Sequence, residues 1–330
     1  MNTCGWCGCE FSPDIWHPHA VYCTGAHRDL AWNKKRRDAR NFTPSVQTAA
    51  DAAPADDVVL ITELQKRGFY VLKPDDKAQE TRYNDLDFSI FDGNVYKLAV
   101  VGDTHYCSKQ QQRTHLHHFY QYAHEYEGVN DFLHLGDLSN GSGKQHVGQE
   151  YENFVHGEDD QLDYIEADYP KIPGCNTKVI GGSHDYSFFK LSGSDILKRL
   201  AERRDDIEYL GYAGAYVNLT PEVDIYLCHP DGGTAYALSY HAQRKVENFT
   251  PENKPNICLF GHYHRMLHFM DRNVEVLLNG CFQSQTPFLK AKNIAPVIGG
   301  WIVEVTTSEN GLARFRSEFM RYYVPVENDF

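Results

Sequence analysis

From residue 96 onward, short apolar runs alternate with longer amphipathic stretches, a β-α-β-α cadence that predicts an α/β fold. Leu98-Ala-Val-Val101, Asp131-Phe-Leu-His-Leu135, Lys178-Val-Ile180, Val223–Cys228, Ile257-Cys-Leu-Phe260, Val274–Leu278 and 301–305 read as strands. Between them, 110–126 reads as a helix, and 194–204 as an amphipathic helix with Ile196, Leu197 and Leu200 inward. A further helix is expected within 237–249. Upstream, Val59, Leu60 and Leu64 fit one face of a short helix that Gly68 ends, and Phe69-Tyr-Val-Leu72 reads as a strand. Residues 41–57 show no apolar period and read as a linker. There is no internal repeat and no low-complexity tract.

Polar residues that interrupt this pattern fall in a recurring place. Each of five strands runs into a glycine or a tight turn followed by a metal-type side chain. The first gives Gly102-Asp103-Thr-His105, and the second gives Gly136-Asp137-Leu-Ser-Asn140-Gly141. The third gives Gly181-Gly-Ser183-His184-Asp185, the fourth Cys228-His229-Pro-Asp-Gly-Gly233, and the fifth Gly261-His262-Tyr-His264. One such turn is ordinary, a helix cap or a satisfied histidine. Five in succession predict a single cluster at a sheet rim, where two aspartates and four or five histidines need cations between them to offset their desolvation.

The ordered set resembles the calcineurin-like metallophosphoesterase superfamily, over residues 95–305. The resemblance implies a two-sheet β-sandwich flanked by helices and a dinuclear metal site. It implies that Asp103, His105 and His264 hold one metal, that His229 and His262 hold a second, and that Asp137 bridges them. His184 is implied to face the substrate as proton donor or transition-state stabiliser, steadied by the Asn140 side chain or by Asp185. Two divalent metals about 3.5–4 Å apart would clamp a phosphoryl group and acidify the water between them. Oxygen and imidazole donors suit Mn²⁺, Fe, Zn²⁺ or Ni²⁺. The family's third motif has Asn where this chain has Ser183, a shorter and weaker donor. The expectation is a second metal held less tightly, or through water.

Residues 1–32 carry Cys4-Gly-Trp-Cys7 and Tyr22-Cys23-Thr-Gly-Ala-His27, a spacing that fits a tetrahedral structural Zn²⁺. The stretch resembles small treble-clef fingers, with His27 in place of the last cysteine and Cys9 as a competing ligand. The run Lys34-Lys35-Arg36-Arg37 reads either as a solvated helix end or as an arm that contacts phosphates. Residues 1–50 hold six Lys/Arg against four Asp/Glu, so the remainder carries the whole net charge of −13. That balance argues against a surface that coats nucleic acid broadly. The domain reading is therefore 1–40 zinc finger and basic arm, 41–57 linker, 58–92 small helix-strand module, and 93–330 phosphoesterase domain.

Nine cysteines, an odd number, and a start lacking a basic n-region and an apolar h-region predict reduced thiols and a cytoplasmic location. No apolar run approaches the ~18 residues of a membrane span. His115, His117, His118 and His124 read as a polar helix surface, and Cys107 lacks the pattern of a nucleophile. The loop 231–243 beside His229 reads equally as a phosphate cradle or as the turn that ligand geometry requires. The functional expectation is a metal-dependent phosphodiesterase that acts on nucleic acid or nucleotides through metal-activated hydroxide. The alternatives are a small-molecule phosphomonoesterase or cyclic-nucleotide phosphodiesterase, and a weakly catalytic nucleic-acid-binding protein.

Overall fold

The computed structural model describes residues 93–143, 148–233 and 235–330, with short pieces at 2–3, 10–11 and 66–67. The chain divides into two units, residues 1–84 and 85–330. In the first, Asn2–Thr3 (β1) pairs antiparallel with Glu10–Phe11 (β2), and Lys66 is helical with Arg67 in a turn. The expected zinc ligands Cys4, Cys7, Cys23 and His27, the basic run 34–37, the linker and nearly all of the helix-strand module lie outside the described residues.

In the second unit, Asn94–Val101 (β3), Asp131–His134 (β4), Asn176–Gly181 (β5) and Ile207–Tyr212 (β6) form a parallel run. Gly299–Ser308 (β12) joins β3 antiparallel, and Gly311–Arg321 (β13) completes a six-stranded sheet. The second sheet has five strands: Gly214–Thr220 (β7), Val223–Cys228 (β8), Ile257–Phe260 (β9), Leu267–Asp271 (β10) and Val274–Leu278 (β11). Its order is β10-β11-β9-β8-β7, with β8, β9 and β11 parallel.

Side-chain alternation explains why β3 reads as an unbroken apolar run: both of its faces are covered. Ala99 and Val101 face a helical layer and pack with Leu116, Phe119 and Tyr120 of Arg113–Glu125 (α1). Leu98 and Val100 face the other sheet and pack with Ile225, Leu227, Ile257 and Leu259. On the far side of the five-stranded sheet, Ala242 and Val246 of Tyr240–Glu247 (α6) cover Cys258, Phe260 and Val276. The result is the expected sandwich of two sheets flanked by helices.

Four more helices of this unit are Gln149–Glu152 (α2), Glu158–Asp168 (α3), Tyr186–Ser192 (α4) and Ile196–Arg203 (α5). A fifth, Pro287–Ala291 (α7), is capped by Thr286, whose Oγ1 accepts the Leu289 N–H at 3.1 Å. The first turn of α1 has its cap from the far end of the chain. Asp329 accepts the Thr114 N–H at 2.7 Å and the Thr114 hydroxyl at 2.6 Å. This carboxylate lies at the positive end of the helix dipole and fastens the C-terminal segment across the fold.

The expectation of one sheet rim needs correction. The first three turns leave β3, β4 and β5 of the six-stranded sheet; the fourth and fifth leave β8 and β9 of the other. Stacking the two sheets through their shared core brings both sets of C-terminal strand ends to one place.

Candidate metal centre

Main-chain N–H groups tie the turns to one another, through carbonyls and through the Asp103 and Asp137 carboxylates. The Asp103 N–H donates to Gly136 O at 2.9 Å, and the His105 N–H to Asp137 O at 3.0 Å. Across the sheets, the His262 N–H donates to both Asp103 carboxylate oxygens, at 3.0 and 2.9 Å. The His184 N–H donates to Asp137 Oδ1 at 2.7 Å. Glycine is required where these turns touch. A Cβ on Gly182 would lie 2.2 Å from Asp137 Oδ1, and one on Gly136 would lie 2.6 Å from the His229 ring. The donor-bearing residues carry backbone strain as well: Asp103, His105, Asp137, His262 and His264 have φ of 50°, 46°, 50°, 77° and 52°. Left-handed conformations at non-glycine residues persist only where the surroundings enforce them, and they gather at functional sites.

Three groups of donors converge: Asp103, His105 and His264; His105, Asp137 and His184; and Asp137, His229 and His262. Asp137 lies in two of them, 3.1 Å from His229 Nε2 and 4.0 Å from His105 Nε2. His264 Nε2 lies 3.4 Å from Asp103 Oδ1. Among the described residues, no cysteine takes part in such a group.

The hydrogen bonds fix which ring nitrogens point inward. His229 Nδ1 lies 2.7 Å from the Leu135 carbonyl, which can only accept, so Nδ1 carries the proton and Nε2 is bare in the neutral ring. Nε2 then faces the Asp137 carboxylate without a hydrogen bond. His105 Nδ1 donates to Asn140 Oδ1 at 3.0 Å, leaving Nε2 bare and 3.1 Å from His264 Nε2. Bare imidazole nitrogens and carboxylate oxygens facing one another in a buried site repel unless a cation lies between them. An outward N–H held by a carbonyl or amide is how a metal-ligating histidine is oriented. The residues present therefore fit metal binding.

Charge in the cluster follows the same pattern. Burial works against ionising Asp137, yet His229 and His184 hold its carboxyl well below the usual range. Burial also opposes the His229 imidazolium, but the adjacent Asp137 outweighs it and pushes that group up to about 9, so with no other cation beside the carboxylate a proton on Nε2 takes that place. Burial, then His184, drives His105 well below its ordinary value. Burial and the Asp137 charge raise Asp185 to about 6.

Ser183 lies beside the Asp137 carboxylate, with Oγ 3.5 Å from Oδ2. The expected support of His184 needs revision. The Asn140 side chain faces His105, because its Nδ2 is taken by Asn153 Oδ1. His184 Nδ1 instead donates to the Asn140 main-chain carbonyl at 2.9 Å. Asp185 is not its partner either. That carboxylate accepts the N–H groups of Gly182, Leu138 and Ser139 and the Ser139 hydroxyl, tying the second and third turns together.

Two features escaped the sequence reading. His134, the last residue of β4, accepts the Gly136 N–H on Nδ1 at 3.2 Å. It meets Thr104 Oγ1 through Nε2 at 3.1 Å, and Thr104 donates to Leu138 O at 3.0 Å. Burial lowers the His134 pKa to about 3, so a neutral ring bridges the first two turns. A histidine within an apolar strand, two residues before Gly136, was the available signal. The second feature is the α7 segment, which forms one wall of the cleft over the metal donors. The cleft has a volume of about 440 Å³ and includes His105, Asp137, Ser183, His184, His262 and His264.

The other candidates have structural explanations. His115 stacks on Tyr322 at 4.3 Å, and His118 donates to or accepts from the Tyr322 hydroxyl at 2.7 Å. His117 lies 3.7 Å from Asp168, and His124 is bonded at the Val129 carbonyl. Cys107 is buried, and burial with the nearby Asp168 raises its thiol pKa strongly. The Gly232 carbonyl contacts His262 Nε2, so the glycine loop helps to orient a donor.

No family model matches the chain, and no curated protein matches its sequence. Solved structures show likeness at low overlap. An archaeal phosphodiesterase is 12% identical, covering 68% of this chain and 99% of its own, with a TM-score of 0.38. GAP50, the anchor in the inner membrane complex of Plasmodium, is 10% identical over 71% of this chain and 86% of its own, TM-score 0.43. Wild-type Vps29 complexed with zinc, from Entamoeba histolytica, is 14% identical over 68% of this chain and 98% of its own, TM-score 0.33.

Proposed function

We propose that this chain, whose five turns resemble those of the calcineurin-like metallophosphoesterases, hydrolyses phosphodiesters with two divalent metal ions. The observation that supports this reading most directly is the convergence of bare histidine nitrogens and two buried carboxylates at one cleft. Asp103, His105 and His264 would hold one ion; His229 and His262 would hold the other; Asp137 would be shared. When bound, such ions polarise a phosphoryl group and supply a nucleophile at neutral pH. Ser183, whose hydroxyl lies 3.5 Å from Asp137 Oδ2, would offer the second ion a hydroxyl in place of a carboxamide.

The remaining chemistry belongs to the chain's own side chains. His184 lines the cleft, and the Asn140 carbonyl holds its Nδ1–H. That bond leaves Nε2 facing the cleft, and in the imidazolium form of the ring Nε2 would carry the proton that passes to the departing ester oxygen, leaving the neutral Nδ1–H imidazole behind. Asp185 and His134 keep the turns in register and touch no substrate.

The cysteine-histidine spacing of residues 1–32 supports one structural zinc. The basic run Lys34, Lys35, Arg36 and Arg37 supports a nucleic-acid substrate, since phosphate contacts of this kind dominate such binding. The test is paired hydrolysis of bis-p-nitrophenyl phosphate and p-nitrophenyl phosphate by the metal-loaded protein. Preference for the diester is expected. Preference for the monoester would replace the diesterase reading with the monoesterase one, and hydrolysis of neither would leave a binding protein.

A further inference from the structure

The cleft over the metal donors has two chemically distinct sides. One side is the donor cluster. The other is α7 and the turn that follows it, which contributes Phe288, Leu289 and Ile294. Leu289 is buried, while Phe288 and Ile294 are half-buried. Their apolar surface therefore adjoins the same space in which the phosphoryl group would lie.

This wall is held in place. Thr286 caps α7, Pro287 fixes its first turn, and the Phe288 N–H donates to Glu152 Oε1 at 3.4 Å. Lys292 is the one lysine or arginine among the described residues that line the cleft. Its exposed ammonium lies 5.9 Å from the Phe288 ring centroid. A volume of about 440 Å³ is far more than a phosphate group fills, and it falls in the usual range for nucleotide-sized ligands.

We propose that the Phe288–Leu289–Ile294 wall is a subsite for the nucleobase of a phosphodiester substrate, with Lys292 at its rim receiving a second phosphate. This inference rests on the phosphoesterase reading and deepens it to a substrate class: nucleoside-bearing diesters, favoured further when a second phosphate is present. An aromatic base has a flat apolar face that matches Phe288 and Leu289. A polyanionic chain continuing past the base meets the Lys292 ammonium there.

Three esters with the same leaving group isolate the subsite: methyl p-nitrophenyl phosphate, thymidine 5′-(p-nitrophenyl phosphate), and the latter carrying a 3′-phosphate. In the Mn²⁺-loaded full chain, kcat/KM should rise along this series. Phe288→Ala should lower the thymidine-to-methyl ratio about tenfold, as expected for loss of one stacking partner, and Phe288→Tyr should retain it. Lys292→Ala should lower the advantage of the 3′-phosphate more than it lowers the thymidine-to-methyl ratio. A flat series, or a ratio unmoved by Phe288→Ala, would overturn the subsite while leaving the phosphoesterase reading intact. If no ester is hydrolysed, that reading fails, and calorimetric binding of thymidine 5′-phosphate against methyl phosphate still decides the subsite. Tighter binding of the nucleotide, weakened in Phe288→Ala, supports it; equal binding overturns it.

Discussion

Replacing Asp137 by Ala should remove both metals together. Asp137 stands in two of the three donor groups, 3.1 Å from His229 and 4.0 Å from His105, so each ion loses a ligand and the shared charge. The effect has a thermal signature. An ion present at about 100 times its dissociation constant stabilises the folded state by about 2.7 kcal/mol, so two independent ions contribute about 5 kcal/mol. For a unit of this size, about 2–4 °C per kcal/mol turns that into an upward melting shift of about 10–20 °C on metal addition. The wild-type protein should show that shift by differential scanning calorimetry with added Mn²⁺, and Asp137→Ala should show almost none. Asp137→Asn, which preserves side-chain volume and a hydrogen-bond acceptor for the His184 N–H, guards against a variant that fails to fold. A full shift in either folded variant would refute the shared role of this carboxylate.

Ser183→Asn restores a carboxamide at the second donor group and should tighten one of the two metals about tenfold by calorimetric titration, with faster turnover; weaker binding in a folded variant would mark the serine as an adapted ligand. His184→Ala should lower kcat by about 10²–10⁴-fold while metal content by mass spectrometry stays at the wild-type level, because the residue acts on the substrate; metal loss would make it a ligand instead. Asp168 lies between His117 and Arg113, and although burial alone would raise its pKa, these two groups hold the carboxyl well below its ordinary value. A depressed folded pKa contributes stability that is present above the unfolded value near 3.9 and lost as pH falls through the acid range; allowing for solvent at the half-exposed Arg113, Asp168→Asn should cost about 1–2 kcal/mol at pH 7 and show a shallower loss of stability below pH 4 in urea titrations. Parallel pH curves for the two proteins would contradict that assignment.

The strands that carry the site were legible because they are covered on both faces. Continuous apolar runs such as 98–101 and 257–260 leave little ambiguity, and the turns after them are marked by glycines that close packing demands. β6, β7, β10 and β13 were missed. They are only partly buried, with mixed sequences such as Gly311–Arg321 that carry charge along an exposed face. α3 was missed for a related reason: it is rich in acidic residues and buries only Gln161, Leu162 and Ile165. The assignment of the five turns to two sheets rather than one follows from pairing partners, which no local pattern contains. The direction of the Asn140 side chain depends on Asn153, thirteen residues away, and so could not be read from the motif itself.

The central claim is that two divalent ions held by this cluster make the chain a phosphodiesterase. It is tested most directly by titrating Mn²⁺ into metal-free protein and following bound metal and bis-p-nitrophenyl phosphate hydrolysis in the same samples. The account predicts two ions per chain that the Asp137→Ala variant does not bind, with activity that rises as they are taken up. Activity that is unchanged in the metal-free protein, or equal metal uptake by Asp137→Ala, would contradict it.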